Sequence, residues 1–395
     1  MKKFAVAALA VASVASLAAC GNDSSSERED GVVRIGLVGP ETGAAPQFHT
    51  DLVRPVELAV ADLADEYGLD VEIVTVDDKG TPDGASAAVQ QLLNTEDVDA
   101  IFGPPQSGNA LQVAEVIQRS GRPWLSAALA PEIMDESLDP NWLFRTNYNA
   151  SDLSSVVAQY LFSGDSTVGI VHSADAYGQS GAESIEAEAE ELGAEIAAVE
   201  AIQPGTTDFS AGISRLAAAG VDTVFLAITA GADTATVTKA IAQEGLAADR
   251  VVTNATILAD FATLADPEQW ENLVFIDPRD LTGDTVAGIA ADYEAEYGEA
   301  PIIPTNVYSW MAAVDAYLQA VAEVGDARDF DGVREAMEGL EQVSVRDDVY
   351  EQPFGAGDHE IYEPEDPSQW IVFGFDGEGA LEARGDLGSC IADGC

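Results

Sequence analysis

The stretch Val32-Val33-Arg34-Ile35-Gly36-Leu37-Val38 sets the pattern that the rest of the chain repeats. It is a short run rich in β-branched residues, and the Ala-rich segment Val53–Tyr67 that follows has its apolar residues at helical spacing. A second strand-like run, Val71–Val76, and a second helical segment, Gly84–Asn94, come in the same order. Nearly continuous apolar strands that alternate with helices predict parallel sheets covered on both faces. The predicted fold class is therefore α/β.

The alternation continues in two series that meet near Asn149. Further strands are predicted at Ala100–Phe102, Trp124–Leu125, Thr167–Val171, Thr223–Ile228, Val251–Val252 and Leu273–Ile276. Further helices are predicted at Gly108–Ser120, Asp152–Phe162, Gly178–Leu192, Ser210–Ala219, Thr234–Gly245, Tyr308–Val324 and Asp331–Gly339. A hairpin is predicted over Ile371–Leu381, with Asp376-Gly377 as its turn. Phe144–Asn149 ends the first series and is a natural crossover into a second lobe.

The N-terminus has the pattern of an export signal. Lys2 and Lys3 precede an apolar run that ends in Leu17-Ala18-Ala19-Cys20, which resembles a bacterial lipobox. This resemblance implies a signal peptide over 1–19, cleavage before Cys20, and a lipid on that cysteine that anchors the protein outside the cytoplasmic membrane. Residues 20–31 offer almost nothing to bury and are predicted to form a disordered tether. An ordinary cleaved signal peptide is the alternative, and it would change the anchor but not the compartment.

Composition limits the possible partners. The 395 residues are more than one core usually organises, which favours two lobes. The chain has 17 basic and 70 acidic residues, a net charge of −53. A nucleic-acid partner is excluded because phosphate contacts need clustered Lys and Arg. The dispersed acidic residues favour adaptation to high salt, where charges are screened, over the alternative of general solubility.

Catalytic and metal-binding patterns are missing from the sequence. The three histidines do not form a His-Glu-x-x-His motif, and Gly178-Gln179-Ser180-Gly181 is followed by Ala182 where a nucleophile elbow needs glycine. Phosphate-binding and dinucleotide-binding glycine motifs are also missing. Beyond Cys20, Cys390 and Cys395 could form a small disulfide loop in an oxidising compartment. The chain is therefore predicted not to be an enzyme, with no cofactor and no metal.

Six local patterns in a fixed order resemble one family, the solute-binding proteins of the leucine/isoleucine/valine-binding type. They are Ile35–Gly43, Asp77-Asp78 with Thr81–Ala87, Ile101–Ser107, Phe144-Arg145-Thr146, Asp175–Gly178, and Thr207–Ser210 with Ile213, Leu216 and Asp222. The resemblance covers roughly Val32–Leu381. It implies the type I periplasmic binding fold, a Venus-flytrap of two Rossmann-like lobes joined by three crossovers around a cleft. It also implies delivery of a small-molecule ligand to an ABC permease and, through it, to a cytoplasmic ATPase.

The lobe boundaries that go with this resemblance are non-contiguous in the sequence. We expect residues 32–148 plus 279–344 to form lobe 1 and residues 149–278 plus 345–388 to form lobe 2. Residues 389–395 are expected to be a C-terminal tail.

The resemblance also implies a set of ligand-binding residues. They are Phe48, Gln106, Ser107, Ser126, Ala128, Tyr177, Thr229 and Thr256. Ser107 is equally well suited to cap the helix after it. Phe48 and Tyr177 have the alternative role of packing between the lobes.

The sequence departs from the family at Asn254-Ala255-Thr256, where amino-acid binders commonly place an acid that pairs with the ligand's ammonium. A buried ammonium without a partner is unfavourable. Two explanations remain open: Asp233 or Asp260 substitutes, or the ligand is an amide or another solute that is not a free α-amino acid. A second role also stays open, because a sensory receptor that signals through a membrane partner would use the same fold.

Overall fold

The structure is a computed structural model. It describes residues 31–43, 45–135, 137–164, 166–248, 250–254, 266, 270, 272–301, 303–362, 367–376 and 379–395. The strands are β1 (Val32–Gly39), β2 (Asp70–Asp77), β3 (Ala100–Phe102), β4 (Trp124–Ser126), β5 (Leu143–Arg145), β6 (Val168–Ser173), β7 (Ile196–Ile202), β8 (Thr223–Ala227), β9 (Arg250–Asn254), β10 (Leu273–Asp277), β11 (Gln342–Val345), β12 (Asp348–Glu351), β13 (Ile371–Phe375) and β14 (Leu381–Asp386). The helices are α1 (Gln47–Tyr67), α2 (Pro82–Asn94), α3 (Ser107–Ser120), α4 (Ala150–Leu161), α5 (Ala176–Leu192), α6 (Ser210–Ala218), α7 (Gly231–Glu244), α8 (Asp284–Tyr297), α9 (Pro304–Val324), α10 (Phe330–Glu338) and α11 (Leu387–Asp393).

Two sheets with the same strand order organise these elements. The first sheet has the order β2-β1-β3-β4-β5 and is parallel throughout. The second has the order β7-β6-β8-β9-β10, also parallel, and adds the antiparallel strands β13 and β14 beyond β10. The predicted α/β class with mostly parallel sheets is confirmed.

Burial along the strands follows from their position in the sheets. The central strand β1 is buried at every residue except its first, as expected for a parallel strand with helices on both faces. The edge strand β7 alternates between partly buried and exposed residues instead. It has Ala197, Ala198 and Ala201 in place of the β-branched residues that identified the other strands, which explains why the sequence pattern did not predict it.

A glycine occupies a corresponding point in the first strand of each sheet. A methyl group at Gly36 in β1 would lie 3.0 Å from side-chain atoms of Leu92 and Val98. At Gly169 in β6 it would lie 2.9 Å from Leu216 and Val221. Both glycines therefore allow an apolar pair to pack closely on the strand.

The chain after β10 returns to the first sheet. Helix α9 is the main cover: sixteen of its twenty-one residues are buried, and the ring of Trp310 stacks with that of Phe102 in β3 at a centroid distance of 6.5 Å. The hairpin of β11 and β12 follows α10. Helix α8 and this hairpin were not predicted, because the sequence rhythm breaks after Ile276.

Two of the predicted boundaries are wrong. Residues 345 onward were expected in lobe 2, but Val345, Phe354 and Ile361 belong to the core formed by the first sheet, so the chain leaves lobe 1 only after Ile361. The expected tail at 389–395 is partly packed, since Leu387 and Cys390 are buried in the core of lobe 2. A disulfide joins Cys390 to Cys395.

The chain passes between the lobes three times: at 146–149 after β5, at 278–283 after β10, and between Ile361 in lobe 1 and β13 in lobe 2, a stretch of which Tyr362 and residues 367–370 are described. We call these passages the first, second and third crossovers. Among the described helices, none combines the length and the apolar character that a membrane crossing requires.

Candidate functional site

A narrow cavity lies between the lobes and brings together five of the predicted ligand residues. It is lined by Phe48, Pro105, Gln106, Ser107, Leu129, Tyr177, Ile228 and Thr229. Most of these residues follow the carboxyl ends of parallel strands in the two sheets, which is where open α/β sheets bind ligands. Phe48, Gln106, Ser107, Tyr177 and Thr229 are the predicted residues that meet here, and their contact with a ligand stays a prediction.

The lobe 1 wall contains the start of helix α3. Gln106 is the N-cap residue, but its side chain makes no capping hydrogen bond, and its Oε1 atom is buried without a protein partner. Ser107 is 6% exposed, and its Oγ accepts a hydrogen bond from the backbone N–H of Ala130 at 3.2 Å. The hydroxyl can therefore still donate its proton to a ligand. The first turn of α3 also presents backbone N–H groups that its cap residue leaves unsatisfied.

The lobe 2 wall is already saturated with internal hydrogen bonds. Asp175 caps helix α5 by accepting from the backbone N–H of Gly178 at 2.9 Å. The same carboxylate accepts from the hydroxyls of Ser173 at 2.9 Å and Thr229 at 2.6 Å. Asp175, Ser173 and Thr229 thus bind one another, and Tyr177 and Ile228 complete the lobe 2 part of the lining.

Ser126 and Ala128 lie behind the cavity rather than among the residues that line it. Both are 1% exposed, and Ser126 Oγ accepts from the backbone N–H of Ala128 at 3.2 Å. The carbonyl of Ala128 accepts from Nη1 of Arg145 at 3.1 Å. This loop therefore supports the first crossover, and ligand contact by Ser126 and Ala128 stays a prediction.

The proposed substitute acid Asp233 also lies outside the cavity lining. Its two carboxylate oxygens accept from the backbone N–H of Gly205 at 3.0 and 3.2 Å. Burial raises the pKa of Asp233. Thr256 and Asp260, the remaining residues of this prediction, lie outside the described residues.

One hydrogen-bonded pair bridges the two lobes beside the cavity. Ser180 of α5 donates to the carboxylate of Glu132, at 3.1 Å from Oε1 and 3.0 Å from Oε2. Glu132 belongs to a short 3₁₀ turn of lobe 1, Pro131–Ile133. This pair is therefore a direct contact between the two lobes.

The crossovers carry two buried arginines. Arg279 in the second crossover pairs with both oxygens of Asp277, at 2.6 and 2.8 Å, and its Nη1 donates to the carbonyl of Thr305 and the hydroxyl of Ser309. Its Cζ also lies 5.5–5.9 Å from the ring centroids of three tyrosines, which are Tyr148, Tyr308 and Tyr362. Since Tyr148 belongs to the first crossover and Tyr362 to the third, this one guanidinium joins all three.

Arg145, at the end of β5, is bound less completely. Its Nη1 donates to the carbonyls of Ala128 and Ala130, each at 3.1 Å. Its Nε lies 3.4 Å from Oε1 of Glu360, and Nε and Nη2 are buried without a hydrogen-bond partner. The sequence singled out Arg145 by its motif, but it did not predict this role.

Known proteins of one family resemble this chain in both sequence and fold. The model of the periplasmic binding protein family matches residues 32–364. Leu/Ile/Val-binding protein BraC3 of Rhizobium johnstonii is 26% identical over 79% of this chain and 84% of its own length. Leu/Ile/Val-binding protein homolog 3 of Brucella melitensis is 26% identical over 49% of this chain, and the match spans 53% of that protein. The crystal structure of a periplasmic binding protein type 1 from Bordetella pertussis superposes with a TM-score of 0.78 at 22% identity, covering 90% of this chain and 100% of the other.

Proposed function

Since the chain belongs to the periplasmic binding protein family, we propose that it is a lipid-anchored receptor that delivers one small solute to an ABC import permease. The family consists of extracytoplasmic solute-binding proteins, and the relatives are of the branched-chain amino acid type. Beyond these family properties, we propose a lipid on Cys20, a permease as partner and, through it, a cytoplasmic ATPase. The proposal also includes the cleft between the lobes as the binding site.

The observation that carries this proposal is the composition of the cavity wall. Residues far apart in sequence, Phe48 and Ser107 from lobe 1 and Tyr177 and Thr229 from lobe 2, line one space. A solute that touches both walls adds contacts that exist only when the lobes are together. It therefore shifts an open–closed equilibrium toward the closed form, which is the form a permease would recognise.

Thermal unfolding of the purified protein in high salt would test the binding role. The panel contains amino acids, amides, urea and short carboxylates, and high salt screens the repulsion among the acidic residues. A ligand at ~100 times its Kd adds about 2.7 kcal/mol to the free energy of unfolding and raises the Tm. A Tm that none of these compounds raises would count against the proposal.

Tyr177→Ala would test the position of the site. We expect affinity for the active compound to fall by about 1–3 kcal/mol, because the ring would lose a packed contact. Tyr297→Ala is the matched control, since Tyr297 packs on Arg54 at the surface of lobe 1 and does not line the cavity. Unchanged affinity in Tyr177→Ala would contradict the cavity as the binding site.

The anchor is tested separately with Cys20→Ser in a bacterial host. We expect the variant to move from the membrane fraction to the soluble fraction, because the serine hydroxyl does not accept the lipid. Retention of the variant in the membrane fraction would contradict the lipid anchor and leave the binding role intact.

A further inference from the structure

A hydrogen-bonded pair outside the cavity joins the two lobes, and it consists of the carboxylate of Glu132 and the hydroxyl of Ser180. We propose that this interlobe pair stabilises the closed arrangement of the lobes by itself, whether or not a solute is bound. The inference goes beyond the proposed function, because it assigns part of the free energy of closing to the protein's own side chains. Glu132 and Ser180 then set how much of the protein is closed before a solute binds.

The two side chains meet only when the lobes are together. Ser180 Oγ lies 3.1 Å from Oε1 and 3.0 Å from Oε2 of Glu132. Ser180 belongs to helix α5 of lobe 2 and Glu132 to the 3₁₀ turn of lobe 1, so the hydrogen bond is lost when the lobes separate. Ser180 is only 7% exposed, and an ionised acceptor makes a stronger hydrogen bond than a neutral one. The pair therefore favours the closed arrangement.

The starts of two helices, one from each lobe, are also in contact beside this pair. A methyl group at Gly108 in α3 would lie 3.9 Å from the Cβ atom of Ala176 in α5, which is an ordinary van der Waals distance. Ala176 is four residues before Ser180, so the same side of α5 makes both contacts. The interlobe pair is thus part of a surface at which α3 and the 3₁₀ turn of lobe 1 face α5 of lobe 2.

Both partners are attached to firmly packed parts of their own lobes. In lobe 2, α5 packs so closely on the sheet that a methyl group at Gly178 would lie 2.1 Å from the carbonyl oxygen of Ser173. In lobe 1, the turn that carries Glu132 begins after Ala130, whose N–H donates to Ser107 Oγ at 3.2 Å. A change in the angle between the lobes therefore separates the two partners instead of moving them together.

The interlobe pair is distinct from the cavity lining. Neither Glu132 nor Ser180 is among the residues that line the cavity. Tyr177, which does line it, is one turn before Ser180 on α5, so one movement of α5 brings both the cavity wall and the interlobe pair into place. A contact that exists in the closed form alone raises the closed fraction, and it raises the affinity for every solute by the same factor. A residue that touches the solute would instead affect different solutes differently.

Small-angle X-ray scattering of the purified protein without solute, in high salt, would measure the effect on closing. Ser180→Ala should lower the ratio of closed to open molecules by about fivefold, the equivalent of ~1 kcal/mol, and so raise the radius of gyration. Ser180→Asp should raise the radius of gyration further, because it sets a second carboxylate against that of Glu132. Adding Glu132→Gln to Ser180→Asp supplies an amide donor to the new carboxylate, and it should return the radius of gyration toward that of the unchanged protein.

Ser137→Ala is the matched control. Ser137 also donates to a carboxylate, that of Asp135, but both residues belong to lobe 1, so the radius of gyration should not change. Circular dichroism of each variant distinguishes opening from unfolding, because an open protein keeps its secondary structure. Equal radii of gyration for the unchanged protein, Ser180→Ala and Ser180→Asp would contradict the inference. An increase in Ser180→Asp that Glu132→Gln does not reverse would contradict the direct pairing of the two residues.

Titration calorimetry with the panel compounds that raise the Tm gives a second measurement. Ser180→Ala should weaken the binding of all of them by one common factor of up to about fivefold. If these compounds bind but neither their affinity nor the radius of gyration responds to the variants, the interlobe pair has no part in closing and the receptor role stands. If no compound raises the Tm while the scattering responds as expected, the receptor role is contradicted and the interlobe pair stands.

Discussion

Arg279 and Arg145 occupy equivalent places, each buried at a crossover between the lobes, but their surroundings differ. Arg279 has a bidentate carboxylate partner, two further acceptors and three tyrosine rings. Arg145 has two carbonyl acceptors and a longer contact with Glu360. Four of the five N–H groups of Arg279 thus donate to the acceptors named above, against two of Arg145.

The pKa values of the two arginines differ in the same way as their surroundings. Burial lowers the pKa of Arg279, but the charge of Asp277 outweighs it, and the net pKa is well above the ordinary value. Burial also lowers the pKa of Arg145, and the charges of Glu360, Asp152 and Glu132 offset it only in part. Glu360 and Glu132 lie in lobe 1, and Asp152 lies in helix α4 of lobe 2. The balance of charge at Arg145 therefore depends in part on how the lobes are placed, whereas Arg279 and Asp277 are only two residues apart in the chain.

Arg279→Met should have the largest effect on stability. It leaves Asp277, which is 0% exposed, as a buried charge without a partner. We expect the free energy of unfolding to fall by about 3–5 kcal/mol, measured by denaturant unfolding in high salt. Adding Asp277→Leu in the same chain should recover much of the loss. A small loss of stability in Arg279→Met would contradict the proposal that the Arg279–Asp277 pair strongly stabilises the second crossover.

Arg145→Met should destabilise less, by about 1–3 kcal/mol. Its removal takes a donor from the carbonyls of Ala128 and Ala130, but the Ala130 carbonyl still accepts from the backbone N–H of Ile133 at 3.3 Å. Glu360 is partly exposed and keeps its contact with Asn149 Nδ2 at 2.7 Å. The same unfolding measurement, run beside Arg279→Met, gives the comparison directly. A loss as large as that of Arg279→Met would contradict the unequal roles of the two arginines.

Asp152, whose charge acts on Arg145, is expected to make the stability of the protein depend on pH. Burial, followed by the charge of Glu360, raises the pKa of Asp152 from 3.8 to about 6. Because the folded state holds this proton more tightly, the contribution to stability is present below pH ~4 and is lost as the pH rises through about 6. Asp152→Asn should remove this part of the pH profile and make the protein about 1 kcal/mol more stable at pH 8. If the stability of the unchanged protein and of Asp152→Asn varied in parallel between pH 4 and 7, Asp152 would not be the source of this pH dependence.

Tyr362→Phe should have the smallest effect, at most about 1 kcal/mol. The change removes the hydroxyl that hydrogen-bonds with Tyr350 but keeps the ring against Arg279. Tyr362→Ala removes the ring as well and should destabilise more. Equal effects of the two variants would mean that the ring itself contributes nothing to the crossover.

The sequence was most informative where structure depends on neighbours along the chain. The continuous apolar runs of β1 and β8 identified central strands, and the patterns around Ser107 and Tyr177 placed both residues at strand ends that meet in one cavity. It failed at the edge strand β7, because three of its seven residues are alanines and it lacks the β-branched run that identified another edge strand, β2. The boundary after Ile361 was also missed, because only the folded core shows that Phe354 packs in lobe 1.

Other features could not be predicted because they join distant positions. The tyrosines around Arg279 come from residues 148, 308 and 362, and no local pattern connects them. The engagement of Asp175 with Thr229 is of the same kind, since a motif can place an acid but does not show which donors bind it.

The repeated strand order of the two sheets has a historical meaning. The order β2-β1-β3-β4-β5 recurs as β7-β6-β8-β9-β10, and Gly36 and Gly169 leave the same space beside the first strand of each. Duplication of one ancestral gene segment, followed by loss of sequence identity between the copies, would leave this repeat. The later segments then differ in kind: α8–α10 cover one copy and β13 and β14 extend the other, so the two descendants became unequal through what was added after the doubling.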